Sequence, residues 1–196
     1  MNKHTEHHNK NKEGISIEIE KYIKQSVDFV MDYFQKNNVI INSVLDIGCD
    51  YGYALKCFKD RKISTTGIDP YSEINPYNLT IIKEDFLQYN KKIDYNLTFL
   101  NHTLEHFDNP NAVLDKLRSK YIFIAVPDAH YEWASWKTHK SVWTMQFLKK
   151  SMTDRNFKAL ELTYRCFRED DVLEKIKLKY GEFLRKNIGH KLWIKN

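Results

Sequence analysis

The stretch Ser43-Val-Leu-Asp-Ile-Gly-Cys-Asp-Tyr-Gly52 limits the fold more than any other part of the chain. It is an apolar run ending in an acid, followed by a loop with two glycines. Val44, Leu45 and Ile47 suit a central strand covered on both faces. Gly48 and Gly52 let the backbone turn sharply and approach a ligand before a helix over residues 54–59. A second short strand, Ser64-Thr-Thr-Gly-Ile, ends in Asp69-Pro70 about 20 residues after the loop, where a nucleotide-binding βαβ unit places its ribose-binding carboxylate. No Gly-Lys-Ser/Thr follows the glycines, which excludes a phosphate-cradling P-loop.

Further apolar runs continue the alternation. Leu79 to Ile82 precedes Lys83-Glu-Asp85-Phe86. Tyr95-Asn-Leu-Thr-Phe-Leu-Asn101 precedes His102-Thr-Leu-Glu105-His106-Phe-Asp-Asn-Pro110, and Tyr121-Ile-Phe-Ile-Ala-Val-Pro127 follows. Alternation over residues 157–167 and the run Lys191-Leu-Trp-Ile-Lys195 predict two last strands, with a charged helix over residues 170–186 between them. Ile19, Tyr22, Ile23, Val27, Val30, Met31 and Phe34 recur at helical spacing ahead of the first strand. Between Asp69 and Leu79, and between Phe86 and Tyr95, too few residues remain for a crossover helix. One side of the sheet there is expected to be thinly covered, inviting a dimer contact or the N-terminal helix.

These residues resemble the class I S-adenosylmethionine (SAM) dependent methyltransferases. The family's first pattern, acid-x-Gly-x-Gly-x-Gly, is matched by Asp46-Ile-Gly48-Cys49-Asp50-Tyr-Gly52, with Asp50 in place of the middle glycine. A carboxylate there suits a cationic sulfonium better than a pyrophosphate. The resemblance implies a Rossmann-like, doubly wound α/β sheet of about seven strands with an antiparallel C-terminal strand, in three αβα layers. It implies that SAM is held by Asp46, Gly48, Cys49, Asp50 and Gly52, by Asp69 and Pro70 at the ribose, by Asp85 and Phe86 at the adenine, and by Asn101 and His102 after the fourth strand. Glu105-His106 and Val126-Pro127 match signatures of one large subgroup.

The 196 residues fit one compact domain. Residues 1–14 read as a disordered polar tail whose His4, His7 and His8 lack ligand spacing, and 15–196 as a single SAM-dependent methyltransferase domain including the N-terminal helix. Three cysteines without zinc-site spacing and no secretory leader predict a cytoplasmic protein, and no segment reads as a membrane anchor. The acceptor side of the site is expected from the segment with Tyr131, Trp133, Trp136 and Trp143 among Lys137, His139, Lys140, Lys149 and Lys150. Its partner is a small-molecule acceptor. The formal charge of +5 is also compatible with RNA. The protein is expected as a monomer or homodimer.

The expected reaction is methyl transfer to an oxygen or nitrogen of a small polar metabolite or sugar derivative. His106 and His139, then His102, are the candidate general bases, because imidazole titrates near neutrality. Three alternatives stand beside it. The first is a metal-assisted RNA ribose 2′-O-methyltransferase, since Glu105-His106 and the Trp143-Thr run resemble the enzymes that act on small-RNA 3′ ends. There Glu105, His106, His139 and His102 would hold a divalent metal, although a metal-free site is the preferred reading. The others are a non-catalytic SAM-binding or scaffold protein and an NAD-dependent oxidoreductase. The spelling His-x-x-Glu-His also matches an inverted zinc-peptidase pattern, which requires a long helix. Asn109-Pro110 argues against one.

Overall fold

The computed structural model describes residues 14–127, 137–165 and 188–195. The expected tail, apart from Gly14, the helix over 170–186, and Tyr131, Trp133 and Trp136 lie outside these residues. Helix α1 (Gly14–Lys36) leads into strand β1 (Ser43–Ile47), α2 (Tyr53–Lys59), β2 (Ser64–Ile68), β3 (Ile81–Ile82) and β4 (Leu97–Asn101). A 3-10 turn (Leu104–His106), α3 (Pro110–Lys116), β5 (Tyr121–Pro127), α4 (Met145–Thr153), β6 (Phe157–Arg165) and β7 (Ile188–Lys195) complete the order.

The seven strands form one sheet in the order β3-β2-β1-β4-β5-β7-β6. The first five are parallel, while β7 runs antiparallel to both β5 and β6. This is the doubly wound sheet with an antiparallel C-terminal end that the family resemblance implies. Alternation along β5 shows why it needs two helical layers. Tyr121, Phe123 and Ala125 enter the core beneath α1 and α2, whereas Ile122, Ile124 and Val126 enter the opposite core beneath α3 and α4. Phe99 of β4 stacks on Phe123 with centroids 4.5 Å apart and planes within 10°, joining the two strands across their shared face.

Among the described residues no helix joins β2 to β3 or β3 to β4, as the short spacings require. Coverage there comes from the connections themselves. Phe86 and Tyr89, with Leu87 and Ile93, pack under one face. Cys49, Leu55 and Leu79, with Tyr77 and Ile81, form a small cluster on the other.

The structure revises two readings. Asn109-Pro110 does not merely interrupt the chain but begins α3: Asn109 Oδ1 accepts from Ala112 N at 3.1 Å, and proline takes a first-turn position where its missing N–H costs nothing. Trp143 does not line the acceptor wall. It is 2% exposed within the core, its Nε1 donating to Ser141 Oγ at 2.8 Å. No described helix is long and apolar enough to cross a membrane.

Candidate functional site

The parallel strands end on one rim, and the strand order reverses between β1 and β4, which is where sheets of this type hold ligands. Three loops meet at that rim. In the loop after β1 the backbone is left-handed at Gly48 (φ 72°), Asp50 (φ 49°) and Gly52 (φ 90°). Gly48 N donates to Ile68 O and Gly52 N to Cys49 O, each at 2.8 Å. A Cβ on Gly48 would fall 2.3 Å from Thr103 Cγ2, so this glycine also lets the loops after β1 and β4 pack together.

Asp69, buried at the end of β2, ties the loops across the rim. One carboxylate oxygen accepts from Asp50 N and the other from Tyr71 N, both at 2.8 Å. Pro70 follows it on the surface. Asp46 is buried beneath the same loop. Burial first, then the nearby Asp69 and Asp50 charges, raise its pKa well above the ordinary carboxylate range.

The side chain of Cys49 leaves the rim and packs against Leu55 and Leu79. It fits only because position 67 is glycine, where a Cβ would lie 2.4 Å from Cys49 Sγ. Gly67 is not marked by any motif, although a glycine inside a strand with Thr65, Thr66 and Ile68 signals a close approach. Asp85 is exposed and accepts from Leu87 N at 2.7 Å. Phe86 is 1% exposed and faces the core, with Lys116 Nζ 5.2 Å from its ring centroid. Its ring therefore has no surface to offer an adenine, and only its backbone can.

The third loop follows β4. Asn101 Oδ1 is buried without a hydrogen-bond partner among the described residues. His102 is left-handed (φ 55°), its Nε2 2.6 Å from Tyr22 Oη of α1 and its Nδ1 3.3 Å from Glu105 Oε1. Glu105 is 1% exposed. The approach of His102 falls short of a full hydrogen bond, and among the described residues neither carboxylate oxygen has a donor. The backbone O of Glu105 accepts from Lys140 N at 2.7 Å and Ser141 N at 3.2 Å, which brings His139 to the turn.

The His106 and His139 rings meet edge-on with centroids 4.8 Å apart. His106 Nδ1 is 3.1 Å from Thr138 O; donating there leaves Nε2 with the lone pair. The edge of His106 reaches solvent, yet enough protein surrounds it that burial, partly opposed by Glu105, lowers its pKa and favours the neutral ring. Ligand atoms of Glu105, His106 and His139 all lie within 4.8 Å of one another. His102 is not part of that group. The 3-10 turn replaces the long helix that an inverted zinc-peptidase pattern requires.

A family model described as a methyltransferase domain matches residues 16–162, from α1 into β6. No curated protein matches the chain in sequence at a significant level. Among solved structures, a SAM dependent methyltransferase from Archaeoglobus fulgidus is similar at TM-score 0.68 and 18% identity, covering 90% of this chain and 94% of its own. The plantazolicin methyltransferase BpumL, in complex with a triazolic desmethylPZN analog and SAH, has TM-score 0.68 and 15% identity, over 98% of this chain and 89% of its own. Magnesium protoporphyrin IX methyltransferase (ChlM) from Synechocystis PCC 6803, with bound SAM, has TM-score 0.61 and 14% identity, over 96% and 85%. At these identities the likeness to the solved structures is one of fold.

Proposed function

Since the chain belongs to the methyltransferase-domain family and is a class I SAM-dependent methyltransferase, we propose that it methylates an oxygen or nitrogen of a small polar metabolite or sugar derivative. Membership leaves no place for the NAD-dependent oxidoreductase reading. The observation that carries the proposal is the polar group Glu105, His106 and His139 in and beside the turn that follows β4, at the rim where β1 and β4 end. A hydroxyl or amine acceptor must lose a proton, and a neutral imidazole with its lone pair fixed on Nε2 is suited to take it.

SAM, when bound, supplies an electrophilic methyl group on a sulfonium. The residues fit such a group. Asp69 and Asp50 give the rim a negative field, Asn101 Oδ1, without a partner among the described residues, offers an acceptor to an ammonium, and the glycine loop exposes backbone at close range. The chain's own contribution is placement, since alignment of reactants supplies several kcal/mol of barrier reduction. His106 accepts the acceptor's proton, with His139 as its alternate.

The test is a calorimetric titration with S-adenosylhomocysteine (SAH), with NAD⁺ as control. Binding of SAH alone, weakened roughly tenfold or more in Asp69→Ala as expected for a lost charge-assisted bond, supports the cofactor site. A polar-acceptor screen then follows, in which His106→Ala lowers turnover by roughly a hundredfold, the share of a general base, and leaves SAH affinity intact. Failure to bind SAH overturns the reading.

A second reading, metal-assisted transfer to an RNA ribose 2′-hydroxyl, draws on one observation: Glu105 buries both carboxylate oxygens without a donor among the described residues, next to two imidazoles. Such a group fits a divalent cation. The Thr138 carbonyl orients His106 as an outer-shell partner would, and two nitrogens favour a borderline metal over magnesium. Titration with Mn²⁺, Co²⁺ or Zn²⁺ gives saturable binding that Glu105→Gln removes. Absence of binding overturns this second reading alone.

A further inference from the structure

Tyr22 and His102 lie 80 residues apart in sequence and meet hydroxyl to imidazole, with Oη and Nε2 2.6 Å apart. The rings are edge-on at 63° with centroids at 5.3 Å. Tyr22 is 6% exposed and packs in the core between α1 and the sheet, so its ring is fixed independently of the site. The other imidazole nitrogen faces Glu105 Oε1 at 3.3 Å. His102 thus spans the gap between a rigid phenol and a buried carboxylate that no described donor hydrogen-bonds. One of its nitrogens is hydrogen-bonded and the other faces a carboxylate, which suits a connector better than a base that exchanges protons with an acceptor.

We infer that Tyr22 is a positioning residue of this site: its hydroxyl sets the ring of His102, and through that ring the carboxylate of Glu105. An imidazole rotates readily about its last side-chain bond, and a half-turn moves both nitrogens off their partners. The short bond to Tyr22 opposes that rotation. In a buried setting the low dielectric strengthens the pull of a nearby ring N–H on a carboxylate, and His102 Nδ1 lies 3.3 Å from Glu105 Oε1. The direction of Glu105 also bears on His106 and His139, which share its cluster. Helix α1 therefore contributes to the chemistry of the β4 loop as well as covering the sheet. Two residues earlier in α1, Glu20 accepts from Tyr77 Oη at 3.0 Å, so the same turn is anchored to the loop after β2. Only the consequence for catalysis rests on the methyltransferase reading.

The test is NMR of the full chain labelled with ¹³C and ¹⁵N at glutamate, histidine and tyrosine. The Glu105 carboxyl carbon and the His102 ring nitrogens are compared in wild type, Tyr22→Phe, His102→Leu and the double variant. Tyr22→Phe keeps the packed ring and removes one hydroxyl. It shifts both the His102 Nε2 and the Glu105 signals, while in the His102→Leu background it leaves Glu105 unmoved. His102→Gln, which keeps a donor and an acceptor, holds the Glu105 signal nearer wild type than His102→Leu does.

A Glu105 signal indifferent to Tyr22→Phe, or shifted equally with and without His102, overturns the inference. Should Tyr22→Phe not fold, the Tyr22 Cζ signal decides. It stays near its wild-type position in His102→Gln and moves in His102→Leu, and equal behaviour overturns the inference. SAH titration of the same samples keeps the two readings separate, because a wild type that binds no SAH overturns the methyltransferase site and leaves the Tyr22–His102–Glu105 chain standing.

Discussion

Gly48 is held in place by two constraints: a left-handed φ of 72° and a methyl of Thr103 only 2.3 Å from where a Cβ would be. Either alone is costly in a packed loop, so Gly48→Ala lowers unfolding stability by about 3 kcal/mol, read from urea melts. The backbone requirement was legible from the residue type and its place after an apolar run. The Thr103 contact was not, because it joins loops that no local pattern relates. The same division holds across the rim. Asp69 could be found because its distance from the glycines is set by the length of a βα unit. Phe86 and Cys49 sit where a ligand-facing residue was expected, but their side chains turn into apolar clusters, since each offers more free energy buried than exposed at a polar edge. Sequence places a residue at a strand end without saying which way its side chain faces there.

Strands were easier to read than helices in this chain. The runs that became β1, β4 and β5 are buried and rich in branched and aromatic residues, and α1 shows a long apolar stripe. Helices α3 and α4 span 7 and 9 residues, too short for periodicity to stand out. Their signals were caps: Asn109 accepting from Ala112 N, and Thr144 accepting from Phe147 N, each at 3.1 Å. Asn109→Ala removes the first of these and lowers stability by about 1 kcal/mol in denaturant melts. SAH affinity stays unchanged, since α3 packs beneath the sheet and away from the β1 and β2 loops.

Across the whole molecule, stability should depend on the pH through Asp46. The folded protein keeps a proton on this buried acid at pH values where the unfolded chain has released it, so unfolding releases protons. Stability of the ligand-free protein therefore declines as pH rises above the unfolded value of 3.8 toward the raised folded value. Asp46→Asn removes that part of the slope. Thermal melts of the two proteins converge at low pH, and the variant is the more stable at neutral pH. The sheet order carries a consequence for synthesis. β6 pairs with β7 and does not pair with β5, while β7 fills the place between them. As the chain emerges from a ribosome, β6 has no partner and β5 keeps an open apolar edge until the later strand arrives. Completion of this sheet thus waits for β7, and the interval before it is when the nascent chain most needs a chaperone.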